Sequence, residues 1–79
     1  RATVQYHFIY IDPPYEVADI DVLETLIQLR QGEYLHPQAL IAVERNSSVK
    51  EISLPDGYAA LREKNYGQAT IFYGVLAEL

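Results

Sequence analysis

The chain has 79 residues, a formal net charge of −5 and no cysteine. This length allows one domain, and the absence of cysteine excludes disulfides and thiolate metal sites. An acidic domain is a poor nucleic-acid binder by itself, because contacts to phosphate supply much of the affinity. No apolar run reaches the roughly 18 residues of a membrane span and no signal pattern opens the chain, so we expect a cytoplasmic protein.

Residues 6–15, YHFIYIDPPY, begin as a strand and end abruptly. The run FIYI has the β-branched and aromatic composition of a strand buried on both faces. Asp12 follows it, and Pro13 and Pro14 end the strand because neither can donate a backbone hydrogen bond. Open α/β sheets bind ligands at the carboxyl ends of parallel strands. We therefore expect the segment that ends in Tyr15 to lie at a binding site.

A helix is predicted over residues 19–31, followed by a connection at residues 34–37. Asp19 is the expected N-cap, and Gly32 marks the end. The apolar stripe is centred on Ile20, Leu23 and Ile27 and is widened by Val22, Leu26 and Leu29. Such a broad stripe is typical of a helix that packs on a sheet.

The second half of the chain predicts three more extended segments. Residues 39–43 form an apolar strand that ends at Glu44, so strand, helix and strand make a parallel βαβ unit. The polar stretch 45–57 contains a short extended piece at Ile52 and Leu54. Residues 58–64 and 69–76 then predict an antiparallel hairpin with a turn at residues 65–67, a polar edge arm and an interior arm.

Side chains outside the Asp-Pro-Pro-Tyr segment are interpreted as structural. Glu44 is a solvated or helix-facing acid, His7 a packed or edge residue of the first strand, and His36 part of a surface loop. With these two imidazoles far apart in sequence, we expect no metal site. In the hairpin, we expect packing by Tyr58, Tyr66 and Tyr73 and a solvated edge at Arg62 and Lys64.

This order of elements resembles the carboxyl-terminal half of a class I S-adenosylmethionine-dependent methyltransferase, a Rossmann-like α/β fold. The segments FIYIDPPY (8–15), LIAVE (40–44) and LREKNYGQATIFY (61–73) resemble more closely the RsmD family, which methylates the exocyclic N2 of a guanine in 16S ribosomal RNA. The resemblance implies S-adenosylmethionine as cofactor and 16S ribosomal RNA or the 30S particle as partner. It also implies that residues 1–79 are a single partial domain, cut from a longer chain that begins upstream of Arg1.

The same resemblance assigns roles within the Asp-Pro-Pro-Tyr segment. Asp12 and Pro13 are the catalytic residues: Asp12 orients the target amine and the Pro13 carbonyl, held rigid by the Pro-Pro pair, accepts a second hydrogen bond. Pro14 and Tyr15 are the substrate-binding residues, and Tyr15 stacks on the base. The main cofactor residues are expected upstream of this chain, although Asp12 would lie beside the cofactor. We therefore expect the isolated chain to bind S-adenosylmethionine weakly and to transfer no methyl group.

Three alternatives remain open from the sequence. The segment could be only a turn in which Asp12 accepts local backbone N–H groups. The target could be an adenine or cytosine amine in DNA or RNA. The chain could also be a non-catalytic α/β binding module. Whatever the function of the longer protein, we expect this chain to self-associate through the apolar strand edge at residues 8–11.

Overall fold

The strands of this protein form one mixed sheet in a computed structural model that describes residues 4–14 and 16–77. Within these residues the sheet has the order β1-β2-β4-β3, in which β1 and β2 are parallel and the other neighbours are antiparallel. The predicted βαβ unit followed by a hairpin is confirmed, and β4 is interior as expected. The elements are β1 (Tyr6–Ile11), α1 (Asp19–Gln31), β2 (Leu35–Asn46), β3 (Tyr58–Tyr66) and β4 (Ala69–Leu76).

The core lies between α1 and one face of the sheet. Val22 and Leu26 of α1 pack against Ile41 and Val43 of β2, and Leu26 has 0% of its surface exposed. The predicted centre of the helix stripe is wrong, because Ile20 is 67% exposed. A period of 3.6 residues fits either set of apolar positions, and the docking of α1 on β2 selects the one that contains Val22 and Leu26.

The helix α1 has the predicted bounds, but its N-cap lies one residue earlier than predicted. Ala18 is the N-cap, in extended backbone and without a side-chain hydrogen bond to the helix. Asp19 is the first helical residue, where its negative charge still complements the helix dipole. Its carboxylate is 2.9 Å from Arg45 Nη2, so it pairs with β2 instead of capping α1. Gly32 ends the helix as expected, and its N–H donates to Gln28 O at 3.0 Å.

Strand β1 is not buried on both faces as its composition predicts. Ile9 and Ile11 face the core, but Phe8 is 55% exposed and Tyr10 is 48% exposed. The reason is that, in the described part of the chain, α1 covers one face of the sheet and no helix covers the other. The composition of β1 fits a strand with neighbours on both faces.

Strand β2 begins earlier than predicted, at Leu35, so residues 35–37 are not a connection. The β1–β2 register is irregular between the pairs Tyr6–Leu35 and Phe8–Leu40, and this irregularity tolerates Pro37, which has no N–H to donate. His36 is consequently a strand residue and not part of a loop. Its ring stacks on that of His7 with 4.0 Å between the centroids.

Residues 47–57, between β2 and β3, contain no helix or strand. Ile52 and Leu54 do not form the predicted extended piece of regular structure, but both pack against the core. Residues 50–54 make no backbone hydrogen bond to the rest of the described chain. Side-chain burial therefore holds this segment in place.

The hairpin forms as predicted, but β3 extends two residues further than predicted. Residues 65 and 66 still belong to β3, and the two-residue turn is formed by Gly67 and Gln68. Gly67 has φ +67°, a left-handed conformation that favours glycine. Tyr58 is buried and donates to Leu26 O at 2.6 Å, and Tyr73 packs beneath Arg62, whereas Tyr66 is 56% exposed and is not a packing residue.

Candidate functional site

An open pocket of about 410 Å³ lies at the carboxyl ends of the two parallel strands and is lined by Asp12, Pro13, Pro14 and Glu44. The register sets this arrangement. Ile11 is the partner of Val43, so the next residue of each strand, Asp12 and Glu44, emerges at the same edge of the sheet. The location predicted for the Asp-Pro-Pro segment is therefore the observed one.

Glu44 is neither helix-facing nor simply solvated, which corrects its interpretation from the sequence. Side chains alternate along a strand, and Val43 and Arg45 are buried on the side that faces α1, so Glu44 lies on the opposite side. It is partly buried and forms one wall of the pocket. Tyr15, predicted to stack on a base, lies outside the described residues.

The Asp12 carboxylate is exposed and receives no hydrogen bond from residues 4–14 or 16–77. A turn-forming aspartate normally accepts a backbone N–H one or two residues ahead. Pro13 and Pro14 have no N–H, so neither of the two residues after Asp12 can make this contact. The turn is instead closed by its backbone, in which Val17 N–H donates to Pro14 O at 3.0 Å. Among the described residues, therefore, no donor occupies the Asp12 carboxylate.

The second carboxylate of the pocket is held by a tyrosine of β1. Tyr10 Oη donates a hydrogen bond to Glu44 Oε1. This hydrogen bond, with desolvation and the negative charges of Glu44 and Asp12 as further causes, raises the pKa of Tyr10 to about 12. Tyr10 therefore remains a neutral donor at neutral pH, and Glu44 Oε2 has no donor among the described residues.

Replacing Tyr10 by Phe should remove the tyrosine titration step at about pH 12. Because the folded-state pKa lies above the ordinary value of 10.0, the contact stabilises the fold below pH 10 and is lost as the pH rises through about 12. A near-ultraviolet titration, with folding followed by circular dichroism, measures the step. Tyr66→Phe, at an exposed position of β3, should keep it. A step that persists in Tyr10→Phe would contradict the assignment.

Arg45 is the site-associated residue that the sequence interpretation missed, since it was counted with the polar stretch 45–57. It belongs to β2, is 4% exposed, and donates from Nη2 to Val17 O at 2.6 Å. A period of two from Ile41 through Val43 to Arg45 places it on the buried face, and this was the signal available in the sequence.

Two other features of the described residues bear on function. Among them, no group of three or more His, Cys, Asp or Glu side chains is arranged to hold a metal ion. No helix of the described chain is long and apolar enough to cross a bilayer. On β3, Arg62 and Lys64 are exposed as expected, and the Arg62 guanidinium lies 5.4 Å from the centre of the Tyr73 ring.

The chain is similar to a described protein family and to solved structures. The sequence model of the family described as Conserved hypothetical protein 95 matches residues 1–75. No curated protein matches the chain in sequence. The candidate methyltransferase yhhF from Escherichia coli superimposes with a TM-score of 0.75 at 26% identity, over 95% of this chain and 42% of that one.

Two further structures agree with this fold. A conserved hypothetical protein from Streptococcus pyogenes gives a TM-score of 0.76 at 24% identity, over 96% of this chain and 46% of that one. A candidate methylase from Haemophilus influenzae gives 0.74 at 25% identity, over 99% and 47%. The chain thus has a partial Rossmann-like methyltransferase fold and spans less than half the length of each of these three proteins.

Proposed function

This chain belongs to the family described as Conserved hypothetical protein 95, an RsmD-like family, and on that premise we propose that it is the substrate-binding half of an S-adenosylmethionine-dependent methyltransferase. The proposed target is the exocyclic N2 of a guanine in 16S ribosomal RNA, within the 30S particle. The activity belongs to the full-length protein, because the chain spans 42–47% of the length of its structural relatives. S-adenosylmethionine supplies the methyl group, and residues outside this chain bind most of it.

The proposal that the target base is guanine rests on the presence of two carboxylates, those of Asp12 and Glu44, in one pocket. Guanine presents its N2 amine beside the N1–H, so two neighbouring groups on its edge donate hydrogen bonds. Adenine and cytosine instead present an amine beside a ring nitrogen that accepts. Asp12 and Glu44 can accept from both guanine groups, whereas Glu44 would face the lone pair of the ring nitrogen in the other two bases. The pocket therefore favours guanine over adenine and cytosine.

Asp12 and Pro13 prepare the amine for transfer. The Asp12 carboxylate accepts one N–H of the amine and the Pro13 carbonyl accepts the other, so the nitrogen lone pair is localised and directed at the methyl group. Pro14 restricts the backbone that carries this carbonyl. The proton that the methylated nitrogen then loses can pass to water, because the pocket is open. Tyr15 is proposed to stack on the base after it leaves its neighbours.

The test is methyl transfer by the full-length protein to 30S particles, with product nucleosides identified by mass spectrometry. We expect N2-methylguanosine and, on particles that carry adenine at the methylated position, a rate lower by about 10- to 100-fold, which is the discrimination of one good base contact. Methylated adenine or cytosine as the main product would overturn the choice of guanine.

Glu44→Gln tests which residue makes the choice. An amide can donate to a ring nitrogen, so the preference for guanine over adenine should fall by about 10-fold or more. Glu24→Gln is the matched control, because Glu24 is an exposed glutamate of α1 outside the pocket. It should leave the preference unchanged. An equal preference in wild type and Glu44→Gln would remove Glu44 from the site.

A further inference from the structure

Arg45 is a buried cation in an element that otherwise packs with apolar side chains. It is 4% exposed and lies on the same face of β2 as Ile41 and Val43. Across the sheet its partner in β4 is Thr70, the other buried polar residue of the described chain. Burial of a guanidinium is costly unless its charge and its donors are satisfied. The position therefore requires a specific partner.

The partners of Arg45 are Val17, in the segment that joins the pocket to α1, and Asp19, the first residue of α1. Nη2 donates to Val17 O at 2.6 Å and lies 2.9 Å from Asp19 Oδ1. The N–H of Val17 in turn donates to Pro14 O at 3.0 Å. Two hydrogen bonds thus connect the guanidinium to the last described residue of the Asp-Pro-Pro segment.

This connection joins the two walls of the pocket. Arg45 follows Glu44 directly in β2, and the two side chains point to opposite faces of the strand. Glu44 forms one wall, while Arg45 holds the segment that forms the other. A shift of Val17 would move Pro14, and with it the Pro13 carbonyl and the Asp12 carboxylate, relative to Glu44.

An ordinary stabilising role does not account for these contacts. Asp19 is 52% exposed, so water can replace the guanidinium on its carboxylate. The other Arg45 donors, Nε and Nη1, are buried and have no partner among the described residues. Replacing the buried guanidinium by an apolar side chain of similar volume removes the cost of burying its charge, and it leaves the Asp19 carboxylate in contact with water. Arg45 therefore contributes more to the location of the turn than to the stability of the fold.

We propose that Arg45 is a positioning residue of the methyl-transfer site, which rests on the function proposed above: through Val17 its guanidinium fixes the Asp12–Pro14 wall at the distance from Glu44 that the target base requires. The residue does not touch the base. It acts through the backbone of the turn.

The first test compares Arg45→Met and Arg45→Lys in the full-length protein by steady-state kinetics and thermal unfolding. Arg45→Met keeps the apolar stem and loses the donors, so kcat should fall about 100-fold, as for a misplacement of about 1 Å, with little change in the KM for S-adenosylmethionine. Its unfolding midpoint should not fall. Arg45→Lys keeps one nitrogen that can donate to both Val17 O and the Asp19 carboxylate. Its kcat should therefore be about 10-fold higher than that of Arg45→Met.

Arg30→Met is the matched control, because Arg30 is an exposed arginine in the last turn of α1, at the end of the helix away from the pocket. It should keep the wild-type kcat. A kcat within twofold of wild type in folded Arg45→Met would overturn the proposal. So would a loss of kcat in Arg45→Met that is accompanied by a lower unfolding midpoint and is not recovered by Arg45→Lys.

A second measurement does not depend on activity. The exchange of the Val17 amide with solvent, followed by NMR in the full-length protein, should be about 10-fold faster in Arg45→Met, because its hydrogen bond to Pro14 O loses support. Unchanged Val17 exchange would overturn the positioning role even if transfer is lost. If wild-type protein transfers no methyl group but Val17 exchange increases, the proposed function fails and the structural role of Arg45 stands.

Discussion

Replacing Asp12 by Ala in the full-length protein should lower kcat for methyl transfer on the order of 1000-fold, with the KM for 30S particles nearly unchanged. Under the proposed function the Asp12 carboxylate and the Pro13 carbonyl hold the amine, and the substitution removes the first of these two acceptors. Without it the lone pair stays conjugated with the base for most of the time. Under the same proposal, other residues bind the rest of the RNA, so the loss is confined to the transfer step.

The matched variant is Asp12→Asn, which keeps an oxygen acceptor in the same place and loses the charge. It should lose much less activity than Asp12→Ala. Asp12 is exposed and accepts no hydrogen bond from the described residues, so neither variant should change the unfolding midpoint. If Asp12→Ala retains kcat within 10-fold of wild type, the carboxylate does not orient the amine, and the interpretation as a simple turn residue is preferable.

Leu26→Ala should lower the free energy of unfolding by about 2–5 kcal/mol. Leu26 has 0% exposure and packs in the cluster of α1 and β2, and its carbonyl accepts the hydroxyl of Tyr58. The substitution leaves a cavity where the helix, β2 and the start of β3 meet. The total free energy of unfolding of a small domain is about 5–15 kcal/mol, so this loss is a large fraction of the stability. Denaturant unfolding followed by circular dichroism measures it.

The control for this core substitution is Leu61→Ala. Leu61 lies at the irregularity of the β3–β4 pairing and is 56% exposed. The same change of side chain should therefore cost less than about 0.5 kcal/mol. Equal losses for the two variants would mean that the described packing of α1 on β2 does not hold in solution.

The elements that the sequence predicted well are those whose signals are local. The bounds of α1 follow from its apolar period and from Gly32, and the hairpin follows from a more polar and an apolar extended segment with a glycine between them. The end of β1 follows from Pro13 and Pro14. In each case a few neighbouring residues decide the backbone conformation, so no tertiary contact is needed to predict it.

The remaining features depend on contacts between distant residues. Which stripe of α1 is buried depends on how the helix docks on β2, and Val22 and Leu26 are selected over Ile20. The early start of β2, through Pro37, depends on the irregular register with β1. For the site, the turn could be predicted from Asp12 and the two prolines. The wall formed by Glu44 could not, because it depends on the pairing of Ile11 with Val43.

The loop between β2 and β3 bears on how proteins of this fold can change in length. Ile52 and Leu54 fill the space beside α1 by side-chain burial, while the backbone of residues 50–54 bonds to nothing else in the described chain. An insertion there breaks no main-chain hydrogen bond, provided that two apolar side chains still reach the core. Insertions within β3 or β4 would disrupt paired strands. We therefore expect this loop to accept changes in length, including an engineered tag, with less loss of stability than the paired strands would.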